Sequence, residues 1–157
     1  MPLAGAVTFR GMEFRTTTGG NCIYATMPGG RILVDTVRFG ACAVQHLFVA
    51  DGACIEVIGP YTISGGAVNH IEARNGGTYT SINRTITLSG TPAFTTFALA
   101  QFNGQINFFN TTFSGAATGQ RYISATQSLI NTFGAGTSHL PGNSAGTADA
   151  ATFALYL

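Results

Sequence analysis

Six carboxylates are all that this 157-residue chain offers for acid–base work: Glu13, Asp35, Asp51, Glu56, Glu72 and Asp149. Two of them can be brought together. If Ile32-Leu33-Val34 stacks on Ile55-Glu56-Val57, Glu56 lies over Leu33, and Asp35 falls two residues along on the same outward face. A strand spacing of about 4.8 Å and a two-residue step of about 6.6 Å put the two backbones roughly 8 Å apart. That separation suits an inverting glycosidase pair, in which one carboxyl protonates the leaving oxygen and the other activates water. Arg31 and Arg38 flank the pair and would hold an acidic sugar. The competing reading, solvated surface charge, is preferred: no catalytic residue is assigned, and Asp35 with Glu56 is the pair to test. Glu72 falls on another strand series and faces another side.

Metal chemistry would have to use Cys42, His46, Cys54 and His70. Zinc sites show tighter paired spacings than these four residues offer. His46 and His70 stand 24 apart, which would stack them in adjacent coils on a face turned toward sister chains. Polar histidines with satisfied hydrogen bonds are the reading adopted, with no metal and no cofactor. Cys22, Cys42 and Cys54 are odd in number and read as reduced thiols acting as small buried hydrophobes. None of the paired glycines precedes a helix whose N-terminus would hold a phosphate.

For contact with a glycan, rings and planar polar groups are the tools. Tyr61, Tyr79 and Tyr122 sit at strand starts or corners, and each competes with core or interface packing. Arg74, Arg84 and Arg121 are expected at the surface, because an unpaired buried guanidinium is costly.

These residues are positioned by a repeat. Ile63-Ser64-Gly65 returns as Leu88-Ser89-Gly90 and as Phe113-Ser114-Gly115, each 25 residues on, with Arg38-Phe39-Gly40 as a weaker first copy. Such periods mark coiled solenoids and arrays. One strand series runs over 31–37, 53–58, 78–82, 106–109 and 128–132, each after a turn signal such as Asp51-Gly52 or Asn75-Gly76-Gly77, with Thr126-Gln127 the weakest. A second covers 61–63, 85–88 and 111–113; a third covers 46–50, 70–73, 95–100 and 121–125. Alternation turns Ile55 and Val57 one way and Cys54, Glu56 and Ile58 the other. Asn-Gly and Gly-Gly also suit hairpins in an antiparallel β-sandwich, but one period kept across three kinds of corner favours a right-handed parallel β-helix of four to five turns. Residues 1–30 read as a lead-in cap, 31–133 as coils, and 134–157 as a C-terminal cap ending in the apolar run Phe153-Ala154-Leu155-Tyr156-Leu157.

Only 8% of residues are charged, against about 25% in ordinary domains. All the basic residues are arginines, and none of the residues between Arg84 and Arg121 is charged. A net charge of +1 leaves no footprint for nucleic acid. Asn83, Asn103, Asn107 and Asn110 break every apolar run long enough to cross a membrane, and the N-terminus carries no secretory pattern. Sparse charge and an apolar terminus instead suggest that sister subunits cover part of the surface.

The tail carries a resemblance. His139-Leu140-Pro141-Gly142-Asn143-Ser144-Ala145-Gly146-Thr147 resembles the closing Pro-Gly-Asn-x-Ala-Gly segment of bacteriophage tail fibre and tail-spike proteins with pectin-lyase-like β-helical bodies. The Thr-, Asn- and Gly-rich coils over 31–150 resemble those bodies too. The chain departs from the pattern at Ala150-Ala151-Thr152-Phe153, which precedes Tyr156 where glycines are usual. The resemblance implies a homotrimer in the virion, made in the host cytoplasm, joined to other phage tail proteins and bound to bacterial surface polysaccharide. A depolymerase tail-spike and a purely structural cap or collar are the alternatives.

Overall fold

The computed structural model describes residues 5–157. Every strand pairs in parallel with the strand one coil away, and the chain winds as a β-helix of about six turns, about 24 residues each. One sheet contains β1 (Ala6–Arg10), β4 (Arg31–Asp35), β7 (Cys54–Val57), β10 (Thr78–Ile82), β13 (Gln105–Phe109), β16 (Leu129–Asn131) and β18 (Leu155–Tyr156). The second holds β2 (Glu13–Phe14), β5 (Arg38–Phe39), β8 (Tyr61–Ile63), β11 (Thr85–Leu88) and β14 (Thr112–Ser114). The third holds β3 (Ile23–Thr26), β6 (Gln45–Ala50), β9 (Ala67–Arg74), β12 (Ala93–Gln101), β15 (Thr118–Ser124) and β17 (Thr147–Ala148). The antiparallel sandwich is thereby excluded.

The core is a set of columns, one residue per coil. Ile32, Ile55, Tyr79, Ile106, Ile130 and Tyr156 stack down the first sheet. Phe14, Phe39, Ile63 and Leu88 stack down the second, and Ile23, Leu47, Ile71, Ala98 and Tyr122 down the third. Strand alternation sends these residues inward. Burying a large aliphatic side chain contributes about 1.5–3 kcal/mol, so each column is a run of such contributions.

Corners between the third and first sheets are tight turns. Asp51-Gly52, Asn75-Gly76, Phe102-Asn103 and Thr126-Gln127 each place two successive residues at positive φ, as a type I′ turn demands. Asn and Asp tolerate that region better than other side chains. Asn75 Nδ2 donates to Asp51 Oδ1 at 3.1 Å, so corner side chains stack as well.

Three expectations need correction. The turns number about six because residues 6–26, read as a lead-in cap, supply a full first coil, while 147–148 and 155–156 add strands to the last one. Residues 1–4 of that expected cap lie outside the described residues. The first and last copies of the repeated tripeptide are out of register: Ile63 pairs with Phe39, not Arg38, and Phe113 pairs with Ile86, not Leu88. Two extra residues enter near Gly90-Thr91, both at positive φ, and widen that coil. A Cβ on Gly115 would lie 2.2 Å from the Leu88 carbonyl oxygen, so only glycine fits there. Cys42 is buried, but Cys22 and Cys54 are only half-buried, and Cys54 lies in the outward Arg31–Cys54–Thr78 column.

The tail segment over 139–147 docks under the last coil. Asn143 and Ser144 donate backbone N–H to Gly119 O at 3.1 Å, and Gly119 N–H returns a bond to Asn143 Oδ1 at 2.8 Å. A Cβ on Gly146 would strike the Tyr122 ring at 2.2 Å, and Tyr122 stacks on Tyr156 with ring centres 3.8 Å apart.

Candidate functional site

Register places Glu56 over Leu33, with Asp35 two residues further along β4, as the sequence implied. Neither carboxylate is poised for acid–base work. Asp35 accepts from Thr36 Oγ1 at 2.8 Å and from Arg10 Nε at 2.6 Å. The Thr36 hydroxyl foremost, with Arg10 beside it, holds the Asp35 pKa below the ordinary aspartate value, whereas a general acid needs a raised one. Glu56 is gripped by Nε and Nη2 of Arg31. Arg31 therefore holds Glu56 and leaves no free guanidinium for a sugar, while Arg38 Nε donates to Ser64 Oγ at 2.8 Å.

The three tyrosines are not at the surface. Tyr61, Tyr79 and Tyr122 are buried because each falls in an inward column, with Tyr61 paired to Ile86, Tyr79 to Ile106 and Tyr122 to Ala98. They are removed from any outer contact with a glycan. His46 and His70 do stack coil on coil, but inside the core rather than toward a sister chain. Cys42 donates to Gln45 O, and Cys54 lies beside Glu56 on another sheet. Among the described residues, no three His, Cys, Asp or Glu side chains converge as metal ligands.

The arginines diverge. Arg84 Nε reaches Val57 O at 3.4 Å, and Arg121 Nη1 reaches Ser144 O at 3.2 Å, so both brace the backbone of a neighbouring coil. Arg74 alone joins a cluster. Its guanidinium lies 4.9 Å from the centre of the Phe48 ring, and Tyr24 stacks on Phe48 at 4.8 Å with the ring planes 5° apart.

That cluster occupies the outer face of the third sheet. His46 with Leu47, His70 with Ile71, and Phe97 with Ala98 are successive residues that all reach the core. Strict alternation breaks there, which puts Gln45 and Asn69 on the outer side before the break and Phe48 and Glu72 on it after, all four still buried. Glu72 is only 4% exposed. Its Oε2 accepts from Gln45 Nε2 at 2.6 Å and Asn69 Nδ2 at 3.1 Å, and its Oε1 from Gln101 Nε2 at 3.3 Å, with Arg74 Nη1 3.7 Å away. A carboxylate removed from water is tolerated where donors and a cation replace its hydration. The result is a network of three amides held by one carboxylate, with Gln45 and Asn69 buried, beside the Arg74 guanidinium and a tyrosine that is 60% exposed.

A second surface lies across the second sheet. A shallow groove of about 620 Å³ is lined by Glu13, Arg38, Thr62, Thr87 and Ser89 and crosses several coils. Met12, Val37 and Pro60 line it as well, so its floor mixes apolar and hydroxyl-bearing side chains.

No protein-family model, curated protein or solved structure matches the chain. What it does must be argued from these surfaces.

Sequence reasoning named Arg74 but missed Tyr24, Gln45, Phe48, Asn69 and Gln101. A signal was present: Tyr24 and Phe48, Phe48 and Glu72, and Gln45 and Asn69 are each 24 residues apart.

Proposed function

We propose that this chain is a structural and receptor-binding segment of a phage tail fibre or spike, which adheres to bacterial surface polysaccharide as a homotrimer in the virion. The observation that carries the reading is the outer face of the third sheet, where the exposed Tyr24 ring and the partly exposed Arg74 guanidinium lie against Phe48, beside the buried network of Gln45, Asn69 and Glu72. An aromatic ring offers a face to the apolar side of a sugar, and a guanidinium bonds its hydroxyls. One ring and one guanidinium make a small site, so one site binds weakly. Three parallel copies supply strength by effective concentration rather than depth.

An apolar edge supports assembly with sister chains. Ile82 pairs with Phe109, and Phe109 meets Phe133 edge-on with ring centres 5.0 Å apart; all three are about half exposed. The tail's likeness to phage closing segments and the sparse charge point the same way.

The test is adsorption of the native particle to purified capsule or lipopolysaccharide, followed by biolayer interferometry, with Tyr24→Ala and Arg74→Ala alongside. Binding that weakens at least tenfold in both variants supports the reading. Binding that ignores both substitutions moves the receptor site elsewhere. New reducing ends that vanish in Asp35→Asn would replace adhesion by hydrolysis, and failure to bind any surface glycan would leave a collar.

A further inference from the structure

Behind the outer face, β6 and β9 together with β8 and β10 carry a chain of buried hydrogen bonds whose direction is fixed. The Gly40 carbonyl can only accept, so His46 Nε2, 2.8 Å away, must carry a proton and donate. A neutral His46 then has a bare Nδ1. His70 Nδ1 lies 3.0 Å from it and must be the donor of that bond. His70 Nε2 is in turn bare, and the Tyr61 hydroxyl donates to it at 2.7 Å. Tyr61 oxygen accepts from the Tyr79 hydroxyl at 3.1 Å. Four side chains from β6, β9, β8 and β10 thus point their protons one way, toward Gly40.

We propose that the His46–His70 pair is an acid-sensitive latch: on taking up protons it releases β6 from β9 and opens the second and third turns while the later turns stay closed. The geometry admits no proton without loss. A second proton on His46 sets N–H against N–H at 3.0 Å. Reversing the tautomer of His70 relieves that clash only if both tyrosine hydroxyls rotate, and it still leaves a cation in the core. The surroundings give that cation no counter-charge. Phe39 of β5 and Phe94 and Phe97 of β12 pack against the rings. The titratable groups facing the pair are Tyr61 of β8 and, through it, Tyr79 of β10. Glu72 of β9 is held on the opposite face of the sheet by its amides.

Burial accordingly keeps both imidazoles neutral. It lowers the pKa of His46 to about 4, and that of His70 well below the ordinary value, with the His46 neighbour adding to the shift. The unfolded chain therefore binds these protons first. The stabilisation is complete above the unfolded histidine pKa of about 6.5 and is lost as pH falls toward the folded values. From His46 alone the opening constant rises roughly 20-fold between pH 7 and pH 5. That window lies above the range in which most carboxylates titrate.

Two measurements on the full chain test the latch, and neither depends on what the outer face binds. Nitrogen-15 NMR of the imidazoles should find His46 as the Nε2–H tautomer and His70 as the Nδ1–H tautomer, both unchanged from pH 8 to pH 5. Hydrogen exchange, corrected for intrinsic rates, should show protection of β6 and β9 falling at least tenfold from pH 7 to pH 5 while β13 and β16 lose less. Loss of that pH response in His46→Phe/His70→Phe ties it to the pair. Either ring titrating near 6.5 in the folded protein, an even loss of protection along all turns, or a pH response that survives in the double variant would overturn the proposal.

Discussion

The first three turns and the last three share one geometry and are held by different chemistry. In the early turns, charge crosses from coil to coil: Arg10 to Asp35 and Arg31 to Glu56 on the first sheet, with Arg74 near Glu72 within the third. Their core contains the polar chain from Tyr61 to Gly40, with Tyr79 of the fourth turn at its far end. In the later turns, corners and outer positions carry Ile82, Phe102, Phe109, Phe133 and Phe153, all largely exposed, and the core polar groups are short hydroxyls such as Ser124 and Ser128, 2.9 Å apart. The contrast teaches that a stacked coil constrains which way a residue points more than what it is. An outward position accepts an arginine clamp in one turn and a phenylalanine in another. Inward positions are stricter, and polar groups enter them only with partners in place.

The largest expected effect tests whether the two halves stand alone. Ile55→Ala and Ile106→Ala should each cost about 2–5 kcal/mol, since both side chains are fully buried and would leave cavities. Urea unfolding gives the size, and hydrogen exchange gives the location. Solenoid stability is a sum of coil and neighbour terms, so protection should be lost mainly in the mutated turn and its neighbours. Uniform loss along the chain would merge the two halves into one cooperative unit.

Next in size is Phe109→Asp. A charge placed in the apolar edge should weaken association by about 2 kcal/mol or more, as at the centre of an interface. Sedimentation of the native particle should then show a smaller species, whereas Glu56→Gln in the charged half should leave the mass unchanged. If both variants sediment like the parent, the apolar edge is not where copies meet.

Tyr61→Phe removes the donor to His70 and leaves a buried nitrogen unsatisfied, at a cost of about 1–3 kcal/mol. The matching change in the later core, Thr111→Val, also breaks a buried bond, from Thr111 Oγ1 to Ser81 O at 2.9 Å. Both variants should leave the histidine tautomers in place, because the Gly40 carbonyl sets them, and only Tyr61→Phe should shift the His70 Nε2 resonance. The smallest effect belongs to Glu56→Gln, about 0–1 kcal/mol and fading with salt, because the Arg31 pair is partly exposed. A loss well above that range would mean the early turns depend on their clamps.

Much of the coil was legible because strand signals are local. Strands at 61–63, 78–82 and 85–88 fall where alternation and turn residues put them. Thr126-Gln127 worked as a corner despite lacking glycine, since the coil above dictates the turn. The tripeptide misled at its last copy: equal spacing in sequence hid two residues added at Gly90-Thr91, and equal spacing does not guarantee equal height on the helix. Tyr61, Tyr79 and Tyr122 were misplaced because a strand-start position carries no direction of its own; the partner in the next coil supplies it. The outer row escaped notice for a related reason. Its residues are unremarkable singly, and only the break in alternation at His46 and His70 turns Gln45 and Asn69 toward Glu72.

The extra pair at Gly90-Thr91 also tells how such a scaffold can be edited. Both residues swing into left-handed backbone, and beyond Gly90 there is nothing within 4 Å. The strands on either side keep their partners. The register shift between Ala93 and Thr96 lies just beyond that corner and the Ile71–Ala98–Tyr122 column is kept, which makes the corner a natural socket for a grafted tag, a fluorophore-bearing loop or a foreign epitope displayed from the side of the rod.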